Sequence, residues 1–161
     1  MILLTIATRR LSTVARSFRE ASKLNSITSL DLSSSDSFIC KNMMCEYVGG
    51  SCICRLALWT HQNQTKLSTL QSLNLANNEL VRLPDTIFEL KSLEYLDLSH
   101  NKLEMLPKNV TQLSSLTTLD LRGNPLSTSL LAGEHDDDLL LLSMLKQQQC
   151  TVLLDESNKV I

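Results

Sequence analysis

Aligned against itself, the chain sets Leu70-Gln71-Ser72-Leu73-Asn74-Leu75-Ala76-Asn77-Asn78-Glu79-Leu80 over Leu93-Glu94-Tyr95-Leu96-Asp97-Leu98-Ser99-His100-Asn101-Lys102-Leu103. A third copy runs Leu116-Thr117-Thr118-Leu119-Asp120-Leu121-Arg122-Gly123-Asn124-Pro125-Leu126, and the three copies begin 23 residues apart. Such a period constrains the fold strongly, because each copy is one supersecondary unit that cannot bury its apolar side alone. The units must stack. Within each copy, leucines such as Leu73 and Leu75 alternate with polar residues, which predicts a strand with leucines turned to the core and their neighbours outward. Aromatic residues make up only 4% of the chain, so the core must be built of aliphatic side chains.

The second halves of the copies, Leu83-Pro84-Asp85-Thr86-Ile87-Phe88-Glu89-Leu90 and Leu106-Pro107-Lys108-Asn109-Val110-Thr111-Gln112-Leu113, complete the pattern. With them, Leu70 to Leu126 resembles the intracellular 23-residue class of leucine-rich repeats. The resemblance implies an α/β fold, a short right-handed solenoid with a parallel concave sheet, and a protein-binding, non-catalytic role of the kind found in intracellular signalling. Leu80, Leu83, Ile87 and Leu90 are expected to fill the core from the convex side. Asn78, Asn101 and Asn124 fall where the chain turns inside the solenoid, where amides can satisfy buried backbone groups. Pro84 and Pro107 suit a short helical turn on the convex return, where a missing backbone donor is harmless.

A stack of three repeats leaves leucine layers open at both ends, so covers are expected there. Leu11, Val14, Ala15, Phe18, Ala21 and Leu24 recur at helical spacing and predict an N-terminal capping helix over residues 8–24. Ile27-Thr28-Ser29-Leu30-Asp31-Leu32-Ser33-Ser34-Ser35 reads as a degenerate repeat, residues 27–38, with Ser35 in the asparagine place. Residues 39–69 lack the leucine grid and read as an irregular insertion. Within it, Cys52, Cys54, Leu56 and Leu58 alternate with Ser51, Ile53, Arg55 and Ala57, consistent with a strand from Gly49-Gly50 to Trp59 or with a loop. The repeats proper are 70–92, 93–115 and 116–130. Residues 131–161 read as a C-terminal cap, with a helix opened by Asp136 to Asp138, an apolar face over 139–145, and a closing strand over 150–154. The whole chain is read as one domain, 1–161.

A net charge of −2 and a pI near 5.9 leave no electrostatic footprint for nucleic acid. No apolar run approaches the ~18 to 20 residues of a membrane span. The apolar start precedes Arg9 and Arg10, the reverse of a secretory signal, and five cysteines form no extracellular disulfide framework. A cytoplasmic setting is expected. The alternative is mitochondrial, because Arg9, Arg10, Arg16 and Arg19, with no acid before Glu20, are similar to a transit peptide. The sequons at Asn63 and Asn109 point weakly to the secretory route.

The chemistry of the remaining residues is sparse. Cys40, Cys45, Cys52 and Cys54 are not spaced as zinc knuckles, and no metal or cofactor is expected. Asp97 and Asp120 should lie on neighbouring strands about 4.8 Å apart, near His100, but an open sheet leaves carboxylates solvated and unsuited to acid–base work. A small metal-binding or hydrolytic protein built on the cysteine segment or on these carboxylates is the alternative reading. Glycine-rich phosphate loops and nucleophile elbows are absent from the sequence. The preferred reading is a non-catalytic monomer whose partner is another protein, held by Asn74, Glu94, Tyr95, Asp97, His100, Asp120 and Arg122, with Tyr95 and Arg122 as anchors.

Overall fold

The computed structural model describes residues 13–35, 38, 53–126 and 136–155. Six short strands, β1 (Val14–Ala15), β2 (Ser29–Asp31), β3 (Ser72–Asn74), β4 (Tyr95–Asp97), β5 (Thr118–Asp120) and β6 (Thr151–Leu153), form one parallel sheet in chain order. The register is uniform: Leu30, Leu73, Leu96 and Leu119 stand opposite one another, flanked by Ala15 and Val152. This is the α/β architecture of a short leucine-rich-repeat solenoid, as the period predicts.

The repeat makes columns of equivalent side chains rather than a single packed centre. Ile27, Leu70, Leu93 and Leu116 form one column, and Leu32, Leu75, Leu98 and Leu121 another, all at most 2% exposed. From the convex side Leu80, Leu103 and Leu126, then Ile87 and Val110, close the same core. After Pro84 and Pro107 the chain makes 3₁₀ turns, Asp85–Glu89 and Lys108–Gln112. The two prolines, at φ −74° and −62°, lead the chain into these turns, and the interior turn residues donate to carbonyls three residues back, as Ile87 does to Pro84 at 3.1 Å.

The buried asparagines carry the turn that follows each strand. Asn101 Nδ2 donates to the carbonyls of Leu98, Ser99 and Leu75 at 2.9, 3.2 and 3.0 Å, and its Oδ1 accepts from the amides of Asn78 and Leu80 at 3.1 and 2.9 Å. Asn78 reaches back in the same way to the carbonyl of Leu32 and takes the amide of Ser35. Asn124 donates to Leu98 and accepts from Leu103. The amides therefore bridge successive repeats as well as closing their own turns. One residue earlier, Asn77, His100 and Gly123 occupy left-handed backbone at φ 57°, 54° and 69°, as does Ser34 in the first repeat. Asn77, His100 and Ser34 show that this backbone admits other residues, but at Gly123 a Cβ would meet His100 Nδ1 at 2.4 Å, so the neighbouring ring in its place favours glycine.

Several sequence expectations are corrected. The N-terminal helix α1 is Phe18–Lys23, not 8–24, and Val14–Ala15 is a strand instead. Ser17 caps α1 by accepting from the amide of Glu20, while the Glu20 carboxylate takes the amide of Arg16, so the capping residues stop the helix from extending backward. The carbonyl of Thr13 accepts from Thr28 and Ser29, which ties the preceding segment to the sheet. Residues 8–12 lie outside the described set.

The expected strand ending at Trp59 is helical: α2 (Cys54–Gln62) is followed by α3 (Gln64–Leu67). Leu56, Trp59 and Thr60 turn one face inward, whereas Leu58 is 58% exposed, which defeats the alternating pattern. The remainder of that expected strand, 49–52, lies outside the described residues. Helix α2 takes the convex position of the long first unit and meets the next one through Thr60 and Thr86, whose hydroxyl oxygens are 2.6 Å apart. Phe18 packs against Phe38 and Trp59, with ring centroids 6.0 and 4.8 Å away, beneath this helix.

At the other end, α4 (Asp136–Gln147) precedes β6. Its apolar run is not all inward: Leu145 is buried, while Leu139 and Leu140 are exposed. Gln149 at φ 62° ends the helix, letting Cys150 donate to the carbonyl of Leu145 at 3.0 Å.

Replacing Asn101 by Leu should lower stability by about 3 kcal/mol, because two buried amides and a set of buried carbonyls lose partners together. Replacing Asn74, whose side chain closes a single backbone bond, by Ala should cost about 1 kcal/mol. Urea unfolding of the two variants measures the difference, and equal losses would deny the asparagine ladder its role.

Candidate functional site

The strand residues that do not face the core form two rows across the concave side. Ser29, Ser72, Tyr95, Thr118 and Thr151 share one register, and Asp31, Asn74, Asp97, Asp120 and Leu153 share the other. Adjacent members of a row are about 4.8 Å apart, the spacing of neighbouring strands. The sheet thus places Tyr95 beside Thr118 and Asp97 beside Asp120 without any loop needing to be held in position.

The second row has a structural duty that the alternation pattern does not reveal. Oδ1 of Asp31, Asn74, Asp97 and Asp120 accepts from the amide two residues onward, Ser33, Ala76, Ser99 and Arg122, at 2.9 to 3.1 Å. Each side chain closes the turn that ends its own strand. At Asp97 the second oxygen receives the Tyr95 hydroxyl at 3.4 Å.

At Asp120 the carboxylate is gripped by Arg122, with Nε at 3.0 and 3.2 Å from the two oxygens and an Nη2 nitrogen at 2.5 Å. The pair is asymmetric: the Asp120 side chain is 3% exposed and that of Arg122 55%. Burial by itself pushes the Asp120 carboxyl up, but the hydrogen bonds and charge of Arg122, with a smaller contribution from His100, hold it below its usual value. The same hydrogen bonds raise Arg122. Burial, then the charges of Asp97 and Asp120, raise the Tyr95 phenol, so it remains a neutral donor at physiological pH. His100 lies over Gly123, and its amide donates to the carbonyl of Arg122 at 2.7 Å.

Five of the seven expected residues, Tyr95, Asp97, His100, Asp120 and Arg122, therefore fall in one patch. Asn74 continues the row one strand away. Glu94 is separate: it lines an open trough at the other end of the strands with Gln71, Ser92 and Ser115. Asp31 also belongs to the row, and its sequence signal is that the degenerate repeat sets it in the place of Asn74. Asp155, which takes the amide of Gly123 at 2.8 Å, had no signal in sequence because it follows the last strand. Of the cysteine segment, Cys40, Cys45 and Cys52 lie outside the described residues. Among the described residues no group of three His, Cys, Asp or Glu side chains is arranged to hold a metal ion, and no helix is long and apolar enough to cross a membrane.

The Asp120 carboxyl is lowered in the folded chain relative to the unfolded value of about 3.9. Its stabilising contribution is complete above that value and is lost as the pH falls through the lower folded value. Urea midpoints of wild type and Asp120→Asn, followed from pH 7 to pH 2, should converge on the acid side. Curves that stay parallel throughout would mean that this carboxylate is not held down by Arg122.

Residues 68–126 match the family described as leucine rich repeat. A solved structure of a leucine-rich-repeat protein from Leptospira interrogans is similar over 88% of this chain, with 26% sequence identity and a TM-score of 0.55. The chain spans 28% of the length of that protein. No curated protein matches the sequence significantly.

Proposed function

From the leucine-rich-repeat fold, which is generally a protein-interaction module, we infer that this chain is a non-catalytic adaptor that binds another protein on its concave face. The observation that carries the reading is the patch around Tyr95, where an exposed ring and the Asp120–Arg122 pair are held on successive strands of a rigid sheet. Such a surface enters a complex with little ordering cost, since its side chains are already tied to one another and to the backbone. Tyrosine offers contact area with a polar end, and its raised, neutral hydroxyl stays a donor.

In this reading Tyr95 is the anchor, Asp97 and His100 flank it, and Asn74 extends the contact toward the first repeat. Arg122 acts with Asp120 as one unit, and among the described residues its Nη1 carries no hydrogen bond and can reach a partner. The Asp120 carboxylate, held ionised by this pairing, is poorly suited to give up a proton near neutrality, which supports binding over hydrolysis. The adaptor is proposed to act as a cytoplasmic monomer in intracellular signalling, a setting supported by the odd cysteine count and by the likeness of Leu70 to Leu126 to the intracellular repeat class.

An affinity pull-down with wild type beside Tyr95→Ala and Asp97→Ala tests the surface, after circular dichroism shows that all three are folded. Loss of the Tyr95 ring should weaken capture of a partner about tenfold or more, the usual effect of removing an interface anchor. A partner retained equally by both variants would move the binding surface away from the concave patch.

A further inference from the structure

Along the edge of the sheet where the strands begin runs an open trough of about 500 Å³, and its walls repeat with the solenoid. Thr69, Ser92 and Ser115 occupy equivalent places 23 residues apart, and Gln71 and Glu94 form a second row two residues further along. Neighbouring rungs are about 4.8 Å apart.

The hydrogen bonding biases this trough toward accepting. Thr28, Thr69 and Ser92 spend their hydroxyl protons on the carbonyls of Thr13, Ile27 and Ser68, at 3.3, 3.1 and 2.7 Å. Each then has only lone pairs to offer a ligand. The Gln71 side-chain amide donates one N–H to Glu94 Oε1 at 3.0 Å, and its Oε1 is another acceptor. Glu94 Oε2 has no hydrogen bond among the described residues, and no lysine, arginine or histidine lines the trough. The walls are therefore rich in acceptors, with the Ser26 and Ser115 hydroxyls able to turn either way, and they carry one negative charge.

We propose that this trough receives an arginine side chain from an extended segment of a protein partner, the guanidinium pairing with Glu94 and donating to the hydroxyl and amide oxygens beside it. Arginine is the complementary side chain because it carries the positive charge that Glu94 lacks in a partner and presents five donors in a fixed fork to the acceptors of Thr69, Gln71 and Ser92. Lysine has the charge, but as a compact ammonium it cannot span two rungs with fixed donors. The inference rests on the reading of the sheet as a protein-binding surface and adds a second contact at its edge.

The test is an NMR titration of the isotopically labelled chain with the peptide acetyl-Gly-Arg-Gly-Arg-Gly amide, beside versions carrying lysine or the neutral isostere citrulline. The arginine peptide should shift the amides of Gln71, Glu94 and Ser115. Glu94→Gln, nearly isosteric and checked for an unchanged spectrum, should weaken binding about tenfold, the effect of losing a charge-assisted hydrogen bond. Glu79→Gln, the same charge change away from the trough, should leave it unchanged. Equal binding of the lysine or citrulline peptide, or an unaffected Glu94→Gln variant, would overturn the assignment. Shifts confined to Asp97 and Asp120 would overturn it as well while leaving the concave-face reading standing, and an absence of shifts would overturn the trough alone, since the pull-down tests the concave face independently.

Discussion

The asparagine ladder is the interaction on which the rest of the solenoid depends. At every repeat the chain leaves a strand and turns within a few residues, in an interior too apolar to supply water to the backbone groups exposed by the turn. Asn78, Asn101 and Asn124 are at most 5% exposed and occupy those places. One amide side chain can donate and accept at once, so Asn101 satisfies carbonyls of its own turn and of the previous repeat while receiving two amides from it. Leucine columns supply most of the burial, but leucine contact is non-directional and would tolerate slippage. The ladder sets the spacing at which the columns stack and hence the register of the strands.

That register orders the concave face. Because Leu73, Leu96 and Leu119 are opposite one another, so are the residues on either side of them, and a surface patch is assembled from positions 23 residues apart. The turn-closing duty of Asp97 and Asp120 has a second consequence. Their carboxylates are fixed by the backbone before any partner arrives, and Arg122 is fixed in turn by Asp120. At Asp97 one oxygen closes the turn and the other takes the Tyr95 hydroxyl, whereas at Asp120 Arg122 holds both oxygens. The edge trough follows the same principle, since its hydroxyls bind the preceding repeat through their protons and leave their lone pairs outward.

The two ends show where this regularity stops. At the N-terminal end the first unit is 43 residues long from Ser29 to Ser72, and helices α2 and α3 fill the convex side that a 3₁₀ turn fills elsewhere. Aromatic packing of Phe18, Phe38 and Trp59 is added there to the aliphatic columns that Ile27, Leu30 and Leu32 continue. At the C-terminal end α4 buries Leu145, and Cys150 packs beneath the last turn before β6 closes the sheet.

The sequence by itself determined the parallel sheet, the strand positions within the three clear repeats, the inward leucines and the buried asparagines, because a 23-residue period forces equivalent residues into equivalent environments. It also placed Tyr95, Asp97, Asp120 and Arg122 on one face, since alternation along a strand has no other outcome. Only the tertiary structure decided what lay outside the period. Val14 and Ala15 fit helical spacing as well as any helix residue, and pairing with Ser29 and Leu30 made them a strand. Cys54 to Leu58 alternate as a strand would, and the packing of Leu56 and Trp59 made them a helix. The separation of Glu94 from its neighbour Tyr95, and the commitment of Arg122 to Asp120, likewise depend on side-chain directions and partners. Periodicity reports which residues share an environment, whereas the contacts that fill that environment exist only once the repeats have stacked.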